Sequence, residues 1–274
     1  MKEYLALVKH TLTHGNHKKD RTGVGTISTF GNQVTFDLRK GFPATTVKRL
    51  AFKQVVGELL CFIHGEHMLD DFHKRGVKIW DANAKASYWS PELPGDTGRI
   101  YGVNWRDWQS VTSSGHAKST DQLRGLITKL KKDPDSRRHL VITYNPGELD
   151  QVCLPPCHYA FQCCVTNGYL DLIFVMRSLD LFLGAPFDIA SYSLLVTMLA
   201  NETGLTPRFV TMQSGDTHIY LNHVEQVKEM LKRTPTKLPK LKITPGKGMF
   251  ELTGDDFSLE NYQPQAAIKA EMAV

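Results

Sequence analysis

A chain of 274 residues with 41% hydrophobic content can bury one large core, and it holds no repeat or low-complexity segment. Its formal charge of +5 comes from 33 basic residues dispersed among 28 acidic ones, which suits a small phosphorylated ligand better than a nucleic-acid polymer. The five cysteines form no even framework and no metal-type CxxC pair, and the first residues lack the apolar core of a signal peptide. No apolar stretch reaches the roughly eighteen residues that a membrane span needs. The expectation is therefore a metal-free, soluble, cytoplasmic protein with a single domain over 1–274.

In chain order, Tyr4, Leu5, Leu7, Val8 and Leu12 recur at helical spacing, predicting an amphipathic helix over 2–13 that stops at Gly15. Residues 26–38 alternate apolar with polar as strands do, with Gly31 and Asn32 read as a turn or bulge. A helix over about 50–64 is apolar on nearly every side, so Glu58 within it is costly unless partnered or functional. The polar stretch 81–120 reads mostly as loops around a short run at 101–105. A surface helix follows over 121–132, stopped at Asp133 and Pro134. Strands are predicted at 139–145, 158–166 and 169–178, the last two joined at Asn167-Gly168, a strong hairpin signal. A long apolar helix over 188–203, strands at 208–214 and 240–244, and a polar helix over 220–233 complete the pattern. The tail to Val274 shows little periodicity.

Within this frame, Leu154-Pro155-Pro156-Cys157-His158 presents one thiol from a stiff turn, because two prolines fix φ and remove two backbone donors. A thiolate is the reactive form, and a cation such as Arg177 favours it. The blander reading is a buried structural cysteine. About twenty residues on runs Met176-Arg177-Ser178-Leu179-Asp180, then Gly184-Ala185-Pro186-Phe187-Asp188-Ile189-Ala190-Ser191-Tyr192.

Taken with Asp20-Arg21-Thr22-Gly23, Asp135-Ser136-Arg137-Arg138 and Gly215-Asp216-Thr217-His218-Ile219-Tyr220, these motifs make the chain resemble the thymidylate synthases over almost its whole length. The resemblance implies an α+β, two-layer fold with a large bent mixed sheet covered by helices, the other sheet face forming a homodimer interface. It implies that 5,10-methylenetetrahydrofolate donates a one-carbon unit to C5 of a pyrimidine nucleotide after Cys157 adds to C6. Arg21, Arg177 and Ser178 then match the holders of the 5′-phosphate, and Arg137 and Arg138 the pair donated by the partner subunit. Guanidinium forks suit phosphate because parallel donors meet paired oxygens. Glu58 matches the buried carboxylate that moves protons at the base, Tyr101 the remover of the C5 proton, and His218 and Tyr220 the sugar contacts. Lys48 and Arg49 match contacts to the folate glutamate, while Trp80, Asn83, Asp180, Gly184, Phe187 and Val274 fall where the rest of the folate is held.

One departure is informative: Asp188 stands where the family carries asparagine. Asparagine offers a donor and an acceptor to uracil. An aspartate instead accepts from the exocyclic amino group of cytosine and shares a proton with N3, which points to dCMP. The competing structural reading is an N-cap, since Asp188 opens the predicted helix.

After transfer, hydride gives a methyl group and water gives hydroxymethyl. The tail from Ile268 to Val274 resembles the family's closing lid, with Glu271 in place of a usual proline, and a closed lid favours methylation. Against that stand Asn83 where a tryptophan is usual, Cys163-Cys164 in place of an aromatic pair, and Met176 in place of a glutamine, so dCMP hydroxymethylation stays open. Ordinary synthesis of thymidylate from dUMP and a non-catalytic RNA-binding role are the remaining alternatives, although a kept thiol, buried acid and arginine set argue against the last. Either cytosine product suits a virus or host with modified DNA.

Overall fold

Four strand ends meet at one edge of a mixed six-stranded sheet, and the chain reaches that arrangement through alternating helical and extended segments. The computed structural model describes residues 1–273. α1 (Lys2–His14) leads into β1 (Asn16–Lys18) and β2 (Thr26–Asp37), followed by α2 (Phe52–His64), α3 (Leu69–Lys74), α4 (Asp81–Ala84) and α5 (Tyr101–Arg106). A hairpin of β3 (Trp108–Val111) and β4 (Ala117–Thr120) precedes α6 (Gln122–Lys132). Then come β5 (Leu140–Ile142), β6 (His158–Thr166), β7 (Tyr169–Asp180), α7 (Gly184–Thr203) and β8 (Thr206–Tyr220). α8 (Val224–Lys232) and the paired strands β9 (Lys240–Ile243) and β10 (Phe257–Glu260) close the sequence of elements.

The sheet order is β1-β2-β8-β7-β6-β5. Only β7 and β8 run parallel, which requires the crossover that α7 supplies; the other pairs are antiparallel. The starts of β2 and β6 therefore lie beside the ends of β7 and β8. Thr26 pairs with Tyr220, Ser178 with Asp216 and Asp180 with His218, and Cys157 directly precedes β6.

One sheet face is packed and the other is open. Phe161, Phe174, Met176 and Met212 are buried with residues of α1, α2 and α7. Period-two alternation turns their neighbours outward: Leu140, Ile142 and Ile173 are 47%, 38% and 37% exposed. A groove on the open face is lined by Phe30, Gln33, Tyr159, Val175 and Gln213.

Several sequence expectations hold. Asn167 and Gly168 both have positive φ and join Thr166 to its partner Tyr169, as a two-residue hairpin demands. The surface helix expected over 121–132 is α6, which ends at Lys132, and Asp121 caps it by accepting from the Arg124 amide at 2.9 Å. Others need correction. The 81–120 stretch contains α4, α5 and the β3–β4 hairpin; α5 packs so closely on α2 that a Cβ on Gly102 would lie 2.4 Å from the Phe62 Cα. β2 runs through Gly31 without a register shift, and β8 continues to Tyr220, so α8 starts at Val224 rather than at 220. α7 starts at Gly184, not at Asp188. Pro186 sits in its first turn, where the missing N–H breaks no bond. The tail, aperiodic in sequence, holds β10 and then runs along the body through Tyr262 Oη to the Thr45 carbonyl at 2.7 Å and the Gln265 amide to the Thr46 carbonyl at 2.8 Å. No helix of the described residues is long and apolar enough to cross a membrane.

Candidate active site

A cavity of about 430 Å³ opens where the strand ends meet. Its lining includes Arg21, Asn83, Cys157, Arg177, Ser178, His218 and Tyr220, so seven of the residues singled out from sequence converge there. Lys18, Lys19, Asp20, Leu154, Asp216, Met272 and Ala273 line it too. Sequence reasoning missed Lys18, Lys19 and Asp216 as lining groups; their adjacency to the Asp20-Arg21 and Thr217-His218 motifs was the available signal.

Cys157 is pinned from two sides. The Arg177 amide donates to the Cys157 carbonyl at 2.8 Å, and the Cys157 amide donates to the Tyr101 hydroxyl oxygen at 2.8 Å. Arg177 Nε and Nη2 also donate to the carbonyls of Pro156 and Pro155 at 2.9 and 2.6 Å, and Nη2 stands 3.9 Å from the Cys157 Sγ. The proline turn is thus tied to the guanidinium that faces the thiol. Burial pushes the thiol above its ordinary range, while Arg177 pulls it down and Asp188 opposes that pull. On balance the thiol form is favoured at rest, so Arg177 moderates the desolvation of the sulfur without overcoming it.

Behind Cys157 lies a dry wall. Burial pushes Glu58 up to about 7, with the Trp80 indole opposing it by donating to Glu58 Oε1 at 2.8 Å. Such a carboxyl can take and release a proton near neutrality. Burial, together with the charges of Cys157, Asp188 and Glu58, holds the Tyr101 hydroxyl well above its ordinary range, so it stays protonated. His158, not singled out from sequence, stacks on Tyr101 at 3.9 Å between ring centroids and shares a 2.8 Å hydrogen bond with the Tyr192 hydroxyl. Burial drives its imidazole down to about 3, leaving it neutral. Asp188 occupies the fifth position of α7, whose N-cap is Leu183, so it caps nothing. Burial raises its carboxyl well above the carboxylate range, and Glu58 and Asp180 push the same way.

The rim is more exposed and charged. Asp216 pairs with Lys18 and accepts from Ser28 and His218, both at 3.0 Å. Burial raises Asp216, yet these partners bring it below its ordinary value. Asp20 accepts from the amides of Thr22 at 2.9 Å and Gly25 at 2.6 Å, which shapes the turn that presents Arg21.

Glu58, Tyr101 and Asp188 stand behind the cavity lining rather than in it, and the remaining candidates also lie away from it. Lys48 is buried: its ammonium donates to the Phe182 carbonyl and stands 3.9 Å from the centre of the Phe182 ring. Burial lowers it to about 8, against the pull of Asp180. Asp180 Oδ1 accepts from the Phe182 and Leu183 amides at 2.8 and 3.4 Å, ordering the turn into α7. Trp80 is committed to Glu58, and Gly184 and Phe187 form the partly exposed first turn of α7. Arg49, Arg137 and Arg138 are on the surface, and Val274 lies outside the described residues. Among the described residues, no three His, Cys, Asp or Glu side chains gather into a metal site.

A buried acid near neutrality, a thiol faced by guanidinium and a basic rim form the machinery for adding a nucleophile to a bound anionic substrate and moving protons around it. The family model described as thymidylate synthase matches residues 2–274. The chain belongs to the thymidylate synthase family, enzymes that transfer a one-carbon unit from methylenetetrahydrofolate to C5 of a pyrimidine nucleotide.

Proposed function

We propose that this transferase acts on dCMP and produces 5-methyl-dCMP, with Asp188 reading the base. One observation carries the proposal: Asp188 is an uncapping, proton-retaining carboxyl inside α7, electrostatically coupled to Cys157 and Glu58. A neutral carboxyl donates its O–H to cytosine N3 and accepts from the N4 amino group through its carbonyl. The proton shared between the Asp188 carboxyl and N3 draws electrons from C6 and eases sulfur addition. Uracil N3 carries its own hydrogen. The same acid then forms a neutral pair with O4 and N3–H and lacks the proton shared with a ring nitrogen, a difference expected to be worth about 1–3 kcal/mol.

The other roles follow. Cys157 adds to C6, Glu58 relays protons at the ring, and Tyr101 assists loss of the C5 proton. Arg21, Arg177 and Ser178 hold the phosphate, and His218 and Tyr220 hold the sugar. Methylenetetrahydrofolate supplies the carbon, with Lys48, Arg49, Trp80, Asn83, Asp180, Gly184, Phe187 and Val274 assigned to its binding. A homodimer accounts for the open sheet face with its exposed Leu140, Ile142 and Ile173, and surface-exposed Arg137 and Arg138 would then reach the partner's phosphate site.

Methylation is supported by the tail, whose Met272 and Ala273 line the cavity, since a covered site favours hydride over water. The second reading, dCMP hydroxymethylation, draws support from Asn83, a polar side chain in the same lining that can hold a water. Either product serves DNA carrying modified cytosine. The test offers dCMP and dUMP at equal concentration with methylenetetrahydrofolate and reads products by mass spectrometry. Methylated dCMP is expected. Preferential turnover of dUMP would overturn the base assignment, and a product heavier by one oxygen would replace methylation with hydroxymethylation.

A further inference from the structure

We infer that His223 is the latch of the C-terminal segment, a positioning residue that fixes Glu271 to Ala273 over the reaction cavity. His223 is completely buried in the short 3-10 turn that follows β8. Its Nε2 lies 2.7 Å from the Glu271 carbonyl, 48 positions along the chain. A carbonyl only accepts, so Nε2 carries the proton and donates it. Nδ1 has no partner among the described residues, so the bond to the tail is the ring's single polar commitment there. The aim of the ring is set by Phe182, tilted against it at 5.5 Å, and by Tyr220, edge-on at 5.7 Å.

The position of this bond explains its consequence. The two residues after Glu271, Met272 and Ala273, line the cavity that holds Cys157. On the other side, Tyr220, a cavity-lining residue, ends the strand from which His223 continues. The latch therefore joins the nucleotide wall to the lid, and Phe182 joins it to buried Lys48. A fixed backbone carbonyl, not a tail side chain, is the held group, so the latch tolerates Glu271 where the resemblance expects proline. The inference rests on the reaction of the family and not on the choice of base. It is assayed with whichever of dCMP and dUMP proves the better substrate.

In the full chain, His223→Leu removes the donor and keeps an apolar body in the space. We expect kcat to fall and KM for methylenetetrahydrofolate to rise by about threefold each, so that kcat/KM falls about tenfold, the scale of one lost hydrogen bond. The hydroxymethylated share of product should grow as water enters, while nucleotide Kd measured without folate stays unchanged. His223→Gln, whose amide nitrogen reaches the same carbonyl, should recover most of kcat, and the shorter His223→Asn should not. Deleting residues 271–274 should erase the difference between the His223 and His223→Leu chains. Unchanged folate kinetics in His223→Leu would overturn the latch. So would an equal loss of nucleotide affinity, or a His223→Leu effect that persists after the deletion. Where His223→Leu does not fold, the glutamine and asparagine variants decide, since identical folate kinetics for the two also overturns it.

Discussion

The buried groups behind the cavity and the charged groups at its rim solve opposite problems. On the dry wall, Glu58, Tyr101, Asp188 and His158 are shifted chiefly by burial, which favours the uncharged form of each. On the rim, burial also opposes charge on Asp216 and Asp20, but Lys18, Ser28, His218 and backbone amides outweigh it, and both carboxylates stay ionised. The same residue type, aspartate, is thus a proton-retaining acid at 188 and an anion at 216. Neighbours decide which. The division suits a reaction that shuttles protons at a base while holding a charged phosphate at arm's length.

The largest way to break the comparison is to remove the proposed nucleophile: Cys157→Ser should lower tritium release from C5-labelled nucleotide by a factor on the order of 10⁴ or more. Next comes a pH test of the wall's desolvation. Glu58 is held at about 7 when folded against an ordinary 4.5, so between those values only the folded chain keeps the proton. Stability contributed by this proton is complete below pH 4.5 and is lost as pH rises to about 7, on the order of 3 kcal/mol in all. Glu58→Gln should remove that slope from denaturation midpoints measured across pH 4.5 to 7. An unchanged slope would mean that Glu58 is hydrated.

Asp188→Asn sharpens the comparison further, because it replaces a proton-retaining acid by a fixed donor and acceptor. The ratio of kcat/KM for dUMP over dCMP should rise by about ten- to a hundred-fold, equivalent to a mismatch of roughly 1–3 kcal/mol. On the rim the effect should be smallest. Lys18 is 61% exposed, so Lys18→Ala should cost about 0.2–1 kcal/mol in nucleotide binding and lose even that effect at high salt. A salt-independent loss of Cys157-like size would erase the distinction between rim and wall.

Much of the molecule was legible in short stretches of sequence. The Asn167-Gly168 turn and the surface helix stopped near Asp133-Pro134 are local signals, and they matched because a turn or a helix end is settled within a few residues. Asp188 shows where local signals mislead. Aspartate before an apolar run resembles a cap, but α7 begins four residues earlier, with Pro186 accommodated in its first turn, so Asp188 lies inside the helix. The polar 81–120 stretch hid α5 because its helical residues are buried by α2 rather than by their own periodicity.

From sequence alone came the cysteine on its proline turn, the family motifs in their order, the mixed α and β composition and the departure at Asp188. The tertiary structure alone decided that Asp188 keeps its proton, that Trp80 holds Glu58 and that His223 grips the tail. The reason is physical. Caps and turns are settled by neighbours in the chain, whereas desolvation and long-range hydrogen bonds depend on everything that folding brings around a group.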